Sequence, residues 1–306
     1  MNTKPAFRFG VNSSPRSASD IGEFARKLEA NGFSTLLTPD GPSHGAAVFP
    51  LLTFAASTTT TLHVGTYVVA NDLHHPFHLA HNAATLQTLS GGRFELGLGA
   101  GRPGMDAEYD ALGLNISQPG KRLARLERSA AIVRALLRGE TVNESGDDYV
   151  MTNATLPGWL TQVNPSPVMI AGTGPRLLDM ATKTADIVAV GAAPTATWDD
   201  VWFGFDRIAE LARERDPQPE INMTFNGVGN RLSRWFSRMP QELQDNLLSS
   251  DSLSVLKGST DDMIEGIHRR YEQLGVTYFV FPEDLVDAAI PVVKHFASRA
   301  VGVGIR

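Results

Sequence analysis

The residues best suited to chemistry form one run, Gly172-Thr173-Gly174-Pro175-Arg176. Glycines ahead of a helix start leave backbone N–H groups open at the positive end of the helix dipole, which suits a phosphate. Thr173 adds a hydroxyl and Arg176 a charge. The same residues also make an ordinary strand-to-helix turn, with the glycines serving only backbone geometry, and both readings stand at this level. A second run, Gly99-Ala100-Gly101-Arg102-Pro103-Gly104, matches G-x-G-x-x-G but not the dinucleotide fingerprint. Pro103 removes a donor, the continuation Met105 to Asp110 is acidic where the motif needs an apolar helix face, and no strand-end acid follows at the usual distance. His74, His78 and His81 could share a helical face, but only Asp72 stands near to complete a ligand set, and His75-Pro76 reads as a helix entry; no metal site is expected. A serine nucleophile is not expected either, since no G-x-S-x-G elbow is present. Asp40, in Pro39-Asp40-Gly41, is a turn former that could also face a ligand.

These residues need elements to hold them, and the chain supplies strands and helices in alternation. Its hub is His75 to Gly101, where Pro76 sets the first turn of an amphipathic helix, Ser90-Gly91-Gly92 ends it, and Arg93 to Gly99 follows as a buried strand with small residues for close approach. Strands are expected at Phe7–Asn12, Ser34–Thr38, Leu62–Ala70, Arg93–Gly99, Val168–Ala171, Ile187–Val190, near Ile221–Asn226 and at Thr277–Phe281. Helices are expected from Ser19 or Asp20 to Asn31, at Phe49–Ser57, Lys121–Leu137, Arg176–Thr184, Trp198–Arg213 and Asp261–Leu274. Eight strands alternating with helices predict a (β/α)₈ TIM barrel over residues 1–306 as a single domain, with an open doubly wound sheet as the competitor. In a barrel the site lies at the carboxyl ends of the strands, which selects Asn12, Asp40, Asn71, Asp72, Arg102, Thr173 and Asn226. Three excursions at that face, 102–120, 142–165 and 227–258, would build the substrate pocket.

Composition narrows the class. With 306 residues, 42% hydrophobic and 20% charged, the chain can bury a large core. A net charge of -6 gives no reason to expect nucleic acid or an anionic membrane as partner. The absence of cysteine excludes disulfides, thiolate metal sites and cysteine nucleophiles, and suits a reducing compartment. No run reaches the ~20 apolar residues of a membrane span, and the N-terminus lacks a signal-peptide core, so a cytoplasmic protein is expected.

The runs LSGGRFELGLGAG at 89–101, GTGPRLLDMATKTADIVAVG at 172–191 and LKGSTDDMIEGIHRRYEQLGVTYFVF at 256–281 resemble the bacterial luciferase-like family, in order and spacing, over nearly the whole chain. Within it, GTGPR followed by a helix ending Ala185-Asp186 is similar to the branch that uses the deazaflavin coenzyme F420; the FMN monooxygenases more often show a serine-containing turn. The resemblance implies a cofactor phosphate on Gly172 to Gly174 and a ring over the strand ends. It also implies support for the back of that ring from Tyr67-Val68, where deazaflavin relatives often hold a non-proline cis peptide. The implied cofactor-binding set is Asn12, Asp40, Tyr67, Val68, Gly101, Arg102, Gly172, Thr173, Gly174 and Arg176. Relatives that oxidise a sugar phosphate carry a histidine directly after the strand-two aspartate and a glutamate after the strand-four glycines, where this chain has Gly41 and Arg102. The proton-handling group is therefore open, with His44, Asp72 and His74 the candidates by position. The implied function is hydride transfer between the deazaflavin C5 and a small organic substrate. An FMN-dependent monooxygenase and a non-catalytic flavin-binding barrel are the alternatives. Family resemblance also implies a homodimer.

Overall fold

Strand β1 (Arg8–Asn12) reads outward and inward by turns: Phe9 and Val11 are buried toward the helices, while Gly10 faces the barrel axis against Tyr278. This is a computed structural model, and it describes residues 7–14, 18–41, 45–101 and 104–300. The remaining barrel strands are β2 (Thr35–Thr38), β3 (His63–Thr66), β4 (Phe94–Gly99), β5 (Val168–Gly172), β6 (Ile187–Val190), β7 (Glu220–Thr224) and β8 (Val276–Pro282). All neighbours pair in parallel in chain order, and β8 pairs with β1 at Arg8↔Tyr278 through Asn12↔Pro282, so the sheet closes on itself. That is the (β/α)₈ barrel, and closure removes the open-sheet alternative.

Each strand is followed by a covering helix: α1 (Ala18–Ala30), α2 (Val48–Ser57), α3 (Pro76–Leu89), α4 (Pro119–Leu137), α5 (Pro175–Thr184), α6 (Trp198–Ala212), α7 (Thr260–Leu274) and α8 (Val286–Ala300). The caps are the local cause of several boundaries. His75 Nδ1 accepts the Phe77 N–H at 3.2 Å ahead of Pro76, and burial, with His78 adding, holds the His75 imidazole below its ordinary value, in the neutral form that an acceptor needs. Ser259 and Asp262 form a capping box on α7, which ends at Gly275 with φ 70°.

Two apolar regions result from the alternation on the strands. Leu37, Met169, Ile187, Ala189, Tyr278 and Val280 fill the barrel, while Phe279 and Phe281 point outward beneath the helices and each stack with both Phe9 and Phe225. The amino-terminal end of the barrel is closed by charge. Arg8 pairs with buried Glu95, binds Glu220 Oε2 at 2.7 Å and lies 4.2 Å from the centroid of the Tyr278 ring. This end is a stability feature, opposite the face where barrel sites lie.

Two elements depart from the sequence reading. The third strand, expected as one run to Ala70, stops at Thr66; the Tyr67–Val68 peptide is cis, and Val69–Ala70 then pairs with β4 alone. Glycines make this packing possible, because a Cβ on Gly97 would lie 2.2 Å from Thr66 O and one on Gly99 2.7 Å from Val68 Cγ2. The second departure is α8, absent from the expected helices. It contains Pro291, yet buries Val286, Ala289, Val292 and Val293.

The excursions also gain definition. Residues 142–145 and 150–154 form an antiparallel hairpin, Asp106–Ala111 is a short helix, and 227–258 carries a three-stranded sheet with helix Gln241–Ser249. Among the described residues, no helix is long and apolar enough to cross a membrane.

Candidate functional site

The carboxyl ends of the barrel strands surround a cavity of about 620 Å³. Of the residues selected from sequence, Asp40, Tyr67, Val68, Gly101, Gly172, Thr173 and Asn226 line it. Asn12 ends β1 close by in the chain order of the barrel but is not part of the wall, and its Oδ1 is buried with no hydrogen-bond partner among the described residues. Gly174 and Arg176 stand outside the wall, exposed at the start of α5. His44 and Arg102 fall outside the described residues.

At one end of the cavity, the run from Gly172 to Arg176 turns from β5 into α5. Gly174 is the N-cap, Pro175 takes the first helical position, and no side chain caps the helix. The turn is held from beneath: Gly191 N–H donates to Gly172 O at 2.9 Å. A Cβ on Gly172 would lie 2.5 Å from Leu177 Cδ2, whereas one on Gly174 would meet nothing within 4 Å. A side chain at the first glycine would have to push Leu177 aside, while the second leaves open space before uncapped N–H donors. A phosphate fits such a cradle on charge, on donors and on room.

The other end carries titratable groups. Asp40 lines the cavity at the end of β2, and its Oδ2 lies 2.6 Å from His74 Nε2, contributed by the segment between β3 and α3. Two residues nominated separately from sequence therefore form one pair. Asp72, a proton-transfer candidate by position, is placed otherwise: its carboxylate is buried, 3.1 Å from Arg125 Nη1, and accepts from the Tyr109 hydroxyl at 3.2 Å. Burial, with the Asp72 charge adding, pushes the Tyr109 phenol up to about 12. These groups fix the excursion onto the barrel and do not line the cavity.

Tyr67 makes the floor. Its hydroxyl donates to Asn222 Oδ1 at 2.9 Å and sits 2.8 Å from Thr224 Oγ1, both on β7 across the barrel. Burial pushes the phenol up to about 12, the Thr224 hydrogen bond offsetting it only in part. The ring is therefore a fixed neutral surface at any ordinary pH.

Sequence reasoning missed several wall residues. Glu108, on the short helix Asp106–Ala111, is buried and lines the cavity; its Oε1 comes within 3.1 Å of where a Cβ on Gly41 would stand. The carboxylate thus takes the space beside the strand-two aspartate that a larger residue at 41 would fill. Met105, Phe205, Met223, Trp235, Phe236 and Leu253 supply apolar wall. The Met105-to-Asp110 run was visible as acidic, but nothing in its spacing showed that Glu108 turns inward.

A family profile described as luciferase-like monooxygenase matches residues 3–228. The F420-dependent glucose-6-phosphate dehydrogenase of Nakamurella multipartita is 26% identical over 315 aligned residues, covering 91% of this chain and 91% of the relative. Among solved structures, the coenzyme F420 dependent tetrahydromethanopterin reductase from Methanopyrus kandleri superposes with a TM-score of 0.75 at 18% identity, over 96% of this chain and 99% of that one. The monooxygenase RslO1 from Streptomyces bottropensis gives a TM-score of 0.72 at 19% identity, over 96% and 99%. At those identities the two structures speak for the fold alone.

Proposed function

The chain belongs to the luciferase-like monooxygenase family and is an oxidoreductase of it, and from that premise we propose that it uses coenzyme F420 to move hydride to or from a small organic substrate. The observation that carries this reading is the single cavity with an open helix start at one end and the Asp40–His74 pair at the other. A relative aligned over nine-tenths of the chain is named for F420 dependence, which favours the deazaflavin over FMN.

The cofactor phosphate is assigned to the turn Gly172 to Gly174, where the N–H groups of Thr173, Gly174 and, past Pro175, Arg176 are the donors, with the Arg176 side chain exposed beside them for an acidic tail. Tyr67 and Val68 support the ring from behind, and Gly101 borders it. Bound F420 supplies a two-electron hydride carrier at C5. The protein's part is geometry and proton handling. Asp40 faces the cavity and His74 holds its Oδ2, so a hydroxyl proton released as a carbinol becomes a carbonyl passes to this pair, and returns from it in the reverse direction. His74 thereby takes the role that Gly41 cannot, from a different element. The reading further includes a single-domain cytoplasmic enzyme working as a homodimer: the cysteine-free composition suits that compartment, and the pairing rests on family resemblance.

Equilibrium fluorescence titration of the purified protein with F420 and with FMN tests the assignment. Tighter binding of F420 is expected; a preference for FMN, with oxygen-dependent turnover, returns the chain to the monooxygenases. F420 binding with no turnover on any alcohol or carbonyl would favour a binding protein.

A further inference from the structure

We propose that Asp72 and Arg125 are positioning residues: granting the proton-handling role given above to His74, they hold its imidazole on Asp40 without lining the cavity themselves. His74 ends a short bridge between the barrel and α3. The 3₁₀ turn Asn71–Leu73 precedes it, the His74 N–H closes on Asn71 O at 3.1 Å, and Pro76 then opens the helix. A single turn of this kind has few backbone hydrogen bonds of its own, so side chains must fix it.

The residues on both sides of His74 are gripped by the excursions. Asn71 has no solvent exposure and its Nδ2 donates to the Tyr149 hydroxyl at 3.4 Å, while the Tyr149 ring meets the His75 ring edge-on at 5.6 Å. Asp72 carries the strongest hold. Its side chain is 1% exposed, with Oδ1 3.1 Å from Arg125 Nη1 and Oδ2 accepting from the Tyr109 hydroxyl at 3.2 Å. Arg125, on α4, spreads its other nitrogens to Asp148 Oδ1 at 2.9 Å and Ser117 Oγ at 3.2 Å, in two different excursions.

A buried ion pair adds little net stability over apolar residues of the same volume, because desolvating both charges offsets their attraction. It adds direction instead. A guanidinium with three partners and a carboxylate with two admit one geometry, and Asp72 passes it along ~7 Å of chain to His74, two residues on. The contact it protects is narrow. At 2.6 Å, the His74–Asp40 hydrogen bond would not survive a slip of ~1 Å, since such bonds are lost beyond about 3.5 Å. The carboxylate nominated by position for proton transfer thus acts through its neighbour.

The test is heteronuclear NMR of the histidine ring nitrogens in the purified full chain, the His74 signals being assigned by their loss in His74→Gln. In the wild-type background Asp40→Asn is expected to displace the His74 Nε2 resonance, because an amide replaces its carboxylate partner. In Arg125→Met most of that displacement should vanish, and Arg125→Lys should restore part of it. The ring of His81, exposed on α3, should give the same signals throughout, which reports an intact fold. Should Arg125→Met not fold, Asp72→Asn, of the same size and still able to hydrogen-bond, is read in its place. A role confined to anchoring the excursions would leave the Asp40→Asn displacement at full size in these variants, and that result overturns the proposal. No displacement in the wild-type background overturns it as well, since there is then no contact to position. If the displacement depends on Arg125 but wild type binds no F420 in a fluorescence titration, the clamp stands and the hydride-transfer reading falls.

Discussion

Asp40 Oδ2 and His74 Nε2 lie 2.6 Å apart, joining the end of β2 to the segment before α3. The two act as one unit if they share a proton, and units lose function non-additively. Asp40→Asn keeps the shape and a hydrogen-bonding partner, so stability should stay within ~1 kcal/mol of wild type. Turnover should fall about a hundredfold, the scale of acid–base assistance, and His74→Gln should match it. The double variant is expected to be no worse than the poorer single one. Steady-state kinetics on all three decides the matter: multiplying losses would mean that the residues act separately, and full activity in Asp40→Asn would return Asp40 to a turn former.

Gly174→Asp examines the other end of the cavity. A Cβ there meets nothing within 4 Å and φ is -77°, so the fold accommodates the change. The new carboxylate would stand before the uncapped N–H groups and compete with a cofactor phosphate for them. Cofactor affinity should drop at least ~tenfold with an unchanged melting curve. Undiminished affinity would move the phosphate elsewhere.

Much of this arrangement was legible in the sequence because it depends on local pattern. Strand and helix periods with glycine and proline punctuation sufficed for the eight strands, and Gly172 to Arg176 sits where its turn chemistry placed it. What escaped depends on tertiary placement. Asp40 and His74 could each be nominated by position, but their contact is set by how the segment after the Tyr67–Val68 peptide returns to the barrel mouth. Glu108 turns inward because Tyr109 of the same short helix and Met105 at its N-cap pack against Ala70, which no acidic run reveals. Helix α8 was hidden by Pro291, whose local penalty is outweighed by the apolar face it helps to bury.

Tyr67 should matter to stability more than its place in a cavity wall implies. Its hydroxyl donates to Asn222 Oδ1, on a residue with no solvent exposure, and Asn222 Nδ2 already lacks a hydrogen-bond partner among the described residues. Tyr67→Phe would leave the amide without its donor, a loss of about 1–3 kcal/mol in denaturant unfolding. Since the phenol titrates only at about 12, wild-type cofactor binding should show no Tyr67 ionisation on going up to about pH 10. An unaltered unfolding midpoint in Tyr67→Phe would show that Thr224 or solvent satisfies Asn222 instead.

Glu29, at the far end of the molecule from the site, should leave a signature in acid. Its Oε1 accepts the N–H groups of Thr60, Thr61 and Leu62 at 2.8, 2.6 and 3.0 Å, docking α1 on the turn that leads into β3. Burial acts to raise this carboxyl, but the three backbone donors outweigh it and bring it down from 4.5 to about 2. Because the folded value lies below the unfolded one, the contribution is complete above pH 4.5 and is lost as pH falls through about 2. The group is solvent-accessible and screened, so the contribution is held to about 1 kcal/mol or less, the scale of a helix cap. Glu29→Gln keeps an acceptor but removes the charge. It should therefore unfold at lower denaturant than wild type at neutral pH, and the difference should close as both are acidified toward pH 2. A gap that stays constant with pH would assign the effect to packing of the side chain, and no gap at neutral pH would show that water serves those three N–H groups equally well.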